Sequence, residues 1–247
     1  MGSVFKHLFG VGAAAAVAMT LSTACETNNQ SLVVKGQIPP IVTDGVCKYV
    51  PSDTFLTGPT IDVAFADTYT GHFAVSSQFV GRKDDLVPRA ESNTVSVTGA
   101  EVRVTDGVGG ELGSFTTLVS TTIITPGGVS PVPVTVVPPA ISARLRNELK
   151  VGERRQLVIL FKLFGQTLGN KSIESGEFQF VITATRGGLV TFPGDTDDPT
   201  VPGRDCNVAT KVTTDANVCD VGADFVFTCT LCRARLGASN PLCSPTP

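Results

Sequence analysis

The chain has no tryptophan, two tyrosines (Tyr49 and Tyr69) and two histidines (His7 and His72) among 247 residues. A zinc hydrolase built on three histidines is excluded by that count. Flat aromatic platforms for sugar rings are correspondingly scarce. Charged residues make up 17%, below the roughly 25% usual for soluble domains, and 19 Lys plus Arg against 22 Asp plus Glu leave a net charge of −3. No basic field is present to attract nucleic acid. The longest apolar run, Leu8 to Leu21, has 14 residues, short of the about 20 that a helix needs to cross a bilayer. Nucleophilic catalysis has little to work with: there is no G-x-S-x-G elbow, and His72, following Tyr69-Thr70-Gly71 at an expected strand start, reads as a surface or turn residue. Phosphate-binding loops fail as well. Gly107-Val108-Gly109-Gly110 runs into Glu111 and Leu112 where a third spaced glycine is required, and Gly169-Asn170-Lys171-Ser172 separates its Gly from its Lys.

The N-terminus carries an address. Lys6, the apolar run Leu8–Leu21, and the small residues Ser22, Thr23 and Ala24 before Cys25 follow the charged, apolar, small-residue order of a secretory signal. The segment Leu21-Ser22-Thr23-Ala24-Cys25 resembles the lipobox of bacterial lipoproteins, with Leu21 four places before the cysteine and Ser22 in the slot three places before it. Ordinary cleavage after Ala24 is the rival reading. The resemblance implies that Cys25 is diacylated and becomes the first residue of the mature chain, attached to the membrane by two acyl chains. Glu26, in place of the Asp that marks inner-membrane retention in that family, leans towards the outer membrane.

Cysteine parity supports the assignment. Seven cysteines lie at 25, 47, 206, 219, 229, 232 and 243, and an exported protein tends to pair its thiols. Setting Cys25 aside leaves Cys47, Cys206, Cys219, Cys229, Cys232 and Cys243, expected as three disulfides in any of 15 connectivities. Cys229-Thr230-Leu231-Cys232 also admits a redox dithiol, but no βαβ unit is visible to lower its thiol pKa. The spacings of the other cysteines do not supply the second close pair of a zinc site, and Arg233 stands where covalent haem attachment needs His.

Four sections are expected: a signal at 1–24, the lipidated Cys25 with a polar tether over 25–55, a β-sandwich over 56–185, and a Cys-rich C-terminal section over 186–247 made of short strands and loops. Period-2 alternation sets the strands. Ile61, Val63 and Phe65 share one face, as do Phe73, Val75 and Phe79. Between Val95 and Val97 on odd positions and Val102 and Val104 on even ones, a bulge at Gly99 restores a continuous apolar face. Further strands fall in 112–124 and 132–137, divided by Pro126-Gly127-Gly128. Ile141, Leu145 and Leu149 recur every four residues after Pro139, which predicts one connecting helix. Residues 157–164, apolar on both faces at first, predict a central strand that turns back near Gly169-Asn170 into 178–184. This hairpin, with its G-N-K-S turn followed by Glu174-Ser175, resembles the closing hairpin of fibronectin type III and immunoglobulin-like sandwiches. The resemblance implies a mainly-β, immunoglobulin-like sandwich, and seven or more short strands with turn signals argue for the same class.

Asp195, Asp197 and Asp198 are the one carboxylate cluster suited to calcium, but they lack the glycine and terminal acid of an EF-hand loop and read as a solvated turn. No metal or cofactor is therefore expected. The functional expectation is an exported, lipid-anchored protein of the bacterial envelope, a binding or structural module for a protein or polymer ligand. An exported enzyme, either a carboxylate-dependent hydrolase or a CxxC thiol redox protein, is the alternative.

Overall fold

The computed structural model describes residues 30–81, 91–192 and 219–243. Cys25, Cys206, Asp195, Asp197 and Asp198 lie outside these segments. The fold is mainly β: a two-layer sandwich with one connecting helix and a disulfide-rich C-terminal section. In chain order the strands are β1 (Gln30–Gln37), β2 (Ile41–Thr43), β3 (Val46–Lys48), β4 (Thr60–Asp62), β5 (Tyr69–Ser77), β6 (Val95–Asp106), β7 (Glu111–Ile124) and β8 (Val129–Val137). Helix α1 (Pro139–Glu148) leads to β9 (Arg154–Thr167), β10 (Ser172–Ser175), β11 (Phe178–Thr185), β12 (Val190–Thr191), β13 (Phe227–Thr228) and helix α2 (Cys229–Leu236).

One layer has the order β4-β11-β9-β6-β7 and the other β10-β1-β5-β8. Short β10 pairs with the end of β9 and hands the hydrogen bonding on to β1, so the layers join at one corner. Strand β9 is central, paired along one edge with β6 and along the other with β11. Its inward residues Leu157, Ile159, Phe161 and Leu163 are buried, while the alternate ones are half-buried. Phe73 of β5 meets Phe161 across the interface with ring centroids 4.7 Å apart, and Phe178 and Phe180 of β11 close on the same pair. The expected bulge is present: both pairings of β6 shift register between Val97 and Gly99, and Val95, Val97, Ala100, Val102 and Val104 all face the core. Helix α1 begins at Pro139, whose fixed φ suits a first helical turn, and buries Ile141 and Leu145 at one end of the sandwich.

Three sequence expectations need correction. The stretch 25–55 is not simply a tether, because β1 lies between β10 and β5 with Leu32 buried. A register shift between Val34 and Gly36 breaks the alternation that would have marked this strand. The alternation over 61–65 ends after Asp62, where Phe65 and Ala66 donate back to the Asp62 carbonyl in a turn. The C-terminal section contains a helix, α2, started by Thr228, whose hydroxyl accepts from the Leu231 amide. This section is bound to the sandwich: the amide of Asp62 donates to Gly222, that of Asp224 donates to Thr60, and Phe227 packs edge-on to Phe65. It covers the outer edge of β4, which would otherwise offer unpaired backbone groups.

Candidate binding cavity

A cavity of about 280 Å³ opens where the end of β1, the start of β5, the arm over 38–59 and the C-terminal section meet. Each element contributes a side chain. Strand β1 ends on Gln37 and strand β5 carries Thr70 and His72; the arm brings Tyr49; the turn after β4 brings Asp67; and residues 219–225 bring Asp220 and Asp224. The arm and the C-terminal section are locked together by the disulfide Cys47–Cys219 at the rim.

A hydrogen-bonded chain crosses the floor. Gln37 Nε2 donates to the Tyr69 hydroxyl at 2.5 Å, and that hydroxyl donates to the Asp224 carboxylate, whose oxygens lie 2.8 and 2.7 Å away. The backbone amide of Thr60 donates to Asp224 Oδ1 at 2.9 Å. Because the tyrosine proton is committed to the carboxylate, the tyrosine oxygen needs a donor from Gln37, which fixes the orientation of that amide. Gln37 Oε1 is left buried without a partner among the described residues, on a residue only 6% exposed. Beside it, the Tyr49 ring lies flat on His72, centroids 3.4 Å apart and planes 8° from parallel.

Burial governs the electrostatics. It pushes the Tyr69 hydroxyl well above its ordinary value, and the neighbouring Asp224 charge adds to this. Burial likewise raises Asp224, although its bonds from Tyr69 and Thr60 work in the opposite direction. Tyr49 is raised by burial and then by the charges of Asp220 and Asp224. Desolvation lowers His72 to about 4, so its imidazole is neutral at physiological pH. Asp67, Asp220 and Asp224 thus line the cavity with no cationic side chain among its lining residues; Arg146 of α1 reaches Asp67 at 2.5 Å from outside.

His72 is not at a turn as the sequence reading has it. It is the fourth residue of β5, half-buried, and its Nδ1 has no hydrogen-bond partner among the described residues. The two cysteines of the CxxC motif are not joined to each other. Cys232 bonds Cys243, and Cys229 is disulfide-bonded as well. Among the described residues no group of three or more His, Cys, Asp or Glu is placed to hold a metal ion, and no helix is long and apolar enough to cross a membrane.

Sequence reasoning missed Gln37, Tyr69 and Asp224 as a unit. The available signal was compositional: in a chain without tryptophan and with two tyrosines, Tyr49 lines this cavity and Tyr69 lies buried beside it, bonded to Gln37 and Asp224 of the lining. Asp62 was also missed. Fully buried, it accepts the backbone amides of Ala64, Gly187 and Leu189 at 3.1, 2.8 and 3.1 Å, which makes it a clamp between β4 and the segment after β11.

No family model and no curated protein matches this chain. Among solved structures, the solution structure of a protein described as late embryogenesis abundant (LEA) is similar over 52% of this chain and 71% of that one, at 14% identity and a TM-score of 0.33. A likeness at that level assigns neither ligand nor activity.

Proposed function

We propose that the chain is a lipid-anchored protein of the bacterial envelope, favouring the outer membrane, and that its sandwich is a binding module whose site is the cavity around Gln37, Tyr69 and Asp224. The carrying observation is where β1 starts and ends. It starts at Gln30, five residues after Cys25, and ends at Gln37 in the cavity wall. Five extended residues reach at most about 18 Å, so acylation of Cys25 would hold the near end of the sandwich close to the headgroups. The eight residues of β1 then span about 25 Å along the sandwich. Strand β5 runs antiparallel beside it, with Ser77 opposite Leu32 and Phe73 opposite Gln37. The cavity therefore lies at the end remote from the anchor and faces away from the bilayer, which suits a receptor for a soluble or polymer-borne ligand.

Cys25→Ala tests the anchoring. The variant should move to the soluble fraction, and mass spectrometry of the wild-type N-terminus should show a diacylated cysteine. Equal membrane retention of the variant, with no acyl group on the wild type, refutes the proposal.

One observation favours a second reading, an exported carboxylate-dependent hydrolase: three aspartates line the same cavity. Turnover of a glycoside or ester library that vanishes in Asp220→Asn would support that reading over simple binding.

A further inference from the structure

We propose that the disulfide Cys47–Cys219 is a redox-sensitive clasp, whose reduction by a dithiol releases the strap of residues 39–54 from the mouth of the cavity. This goes beyond the binding-module reading, because it concerns access to the cavity and holds for any ligand. The strap is fastened at few points. None of residues 39–54 is buried, and its apolar Ile41, Val46 and Val50 are 49%, 56% and 50% exposed, so they are not docked on the sandwich. Its hairpin of β2 and β3 is a two-stranded sheet of its own. Main-chain bonds to the body come just outside the strap, where the Ile38 amide donates to the His72 carbonyl and the Leu56 amide to that of Gln37. Between those points no hydrogen bond joins the strap to the rest of the described residues. What holds it is the Tyr49 ring on His72 and the disulfide to Cys219. A lone two-stranded hairpin is marginally stable in water at best, so opening the disulfide leaves a single ring stack to hold the whole strap.

The other side of the clasp is fastened independently. The C-terminal section keeps its bonds from Asp62 to Gly222, from Asp224 to Thr60 and from Tyr69 to Asp224 when the disulfide opens. Exposure selects which disulfide reacts, since exchange needs access to sulfur. Cys47 and Cys219 are both half-buried, with Cys219 in the cavity lining, whereas Cys232 and Cys243 are each 0% exposed. A thiolate of the dithiol attacks one sulfur of the clasp, forming a mixed disulfide as the Cys47–Cys219 bond breaks, and the released cysteine leaves as a thiolate that takes up a proton. The second thiol of the reductant then displaces the other cysteine. Both electrons come from the dithiol, which departs as a disulfide. With the strap away the cavity loses a wall, and His72 loses the ring that covers it. The charged groups lining the same cavity are Asp67, Asp220 and Asp224, all acidic. At about pH 6 the open cavity therefore carries an imidazolium that the closed one lacks.

Dithiothreitol added in steps to the full chain, with iodoacetamide trapping and peptide mapping, tests the order of opening. Cys47 and Cys219 should be alkylated at least about tenfold faster than Cys232 and Cys243. Equal rates, the reverse order, or a clasp that resists dithiothreitol overturn the proposal. Proton NMR tests the strap, the His72 imidazole resonance being the one absent from His72→Phe. On selective reduction its midpoint should rise from about 4 towards the ordinary 6.5, while the amide resonances of β5 and β9 keep their dispersion. A midpoint that stays near 4 means that the strap remains in place, and collapse of the amide dispersion means that the disulfide holds the fold and not a strap; either overturns the proposal. Tyr49→Ala leaves every cysteine paired and should raise the midpoint without reductant. No rise in that variant shows that the strap does not cover the ring, which overturns the proposal as well. None of these measurements uses a ligand or the acyl anchor, so their failure leaves the binding-module reading standing.

Discussion

The Tyr69 hydroxyl donates to the carboxylate of Asp224 across 155 residues of sequence, and in doing so joins the first residue of β5 to the C-terminal section. Tyr69 is 1% exposed, so its hydroxyl cannot turn to water for a replacement, whereas Asp224 is half-buried in the cavity lining. Tyr69→Phe keeps the ring and removes the oxygen. It leaves Gln37 Nε2 without an acceptor and Asp224 without its hydroxyl donor, and should cost about 1–3 kcal/mol in urea unfolding. A loss indistinguishable from zero would show that the chain of bonds is not maintained in solution.

The disulfide Cys47–Cys219 spans 172 residues. Replacing both cysteines with alanine frees the unfolded chain to expand and should lower stability by about 2–5 kcal/mol. It should also loosen the cavity rim, since no other covalent link between described residues holds the arm to the C-terminal section. Non-reducing peptide mapping checks the pairing directly. Peptides joining Cys47 to Cys219 and Cys232 to Cys243 are expected, and a peptide with Cys229 closed on Cys232 would contradict the fold.

Strands built on regular alternation are legible in the sequence. Strand β9 shows its central position in the apolar residues on both its faces, β6 shows its bulge in the change of phase around Gly99, and α1 shows its buried face in Ile141 and Leu145. Strand β1 was hidden because its own bulge between Val34 and Gly36 erases the two-residue period. The cavity was illegible for a different reason. Gln37, Tyr49, Tyr69 and Asp224 come from separate segments, and their local patterns encode strand or loop, not the convergence that packing produces. Cysteine count gave the expectation of pairing without partners, since spacing does not say that Cys229 and Cys232, on one helix, will go separate ways.

Gly165 in β9 sits against β6 so closely that a Cβ there would fall on the Ser96 carbonyl oxygen and Val97 Cα, both backbone atoms. Backbone cannot rotate out of the way, so Gly165→Ala must spread the central pair of the larger layer. A destabilisation of at least about 2 kcal/mol is expected. Gly81→Ala is the control, because the nearest atoms to its added Cβ lie at 3.9 Å; it should change stability by no more than about 1 kcal/mol. Similar values for the two variants would refute the close approach of β6 and β9.

The pH dependence of stability isolates His72. Burial lowers its folded pKa to about 4 from the ordinary value of 6.5. Between those limits the unfolded chain takes up a proton that the folded chain refuses, so this residue's contribution is fully present above 6.5 and is lost as pH falls towards 4. Asp62 and Asp224, both raised by burial, act in the opposite sense: protonating them relieves the folded state as pH falls through their folded values. The total curve therefore mixes signs, and the informative quantity is the stability of the wild type minus that of His72→Phe. That difference should fall by about 1–2 kcal/mol between pH 7 and 4, an amount discounted for the partial exposure of the ring. It should then level off, because below 4 the imidazole is charged in both states. In a chain lacking residues 1–24, His72 is the one histidine, so a single imidazole resonance reports its titration. A midpoint near 4 is expected, and a midpoint at 6.5 or above would mean that the Tyr49 stack does not shield the ring and that the cavity carries a positive charge at mildly acidic pH.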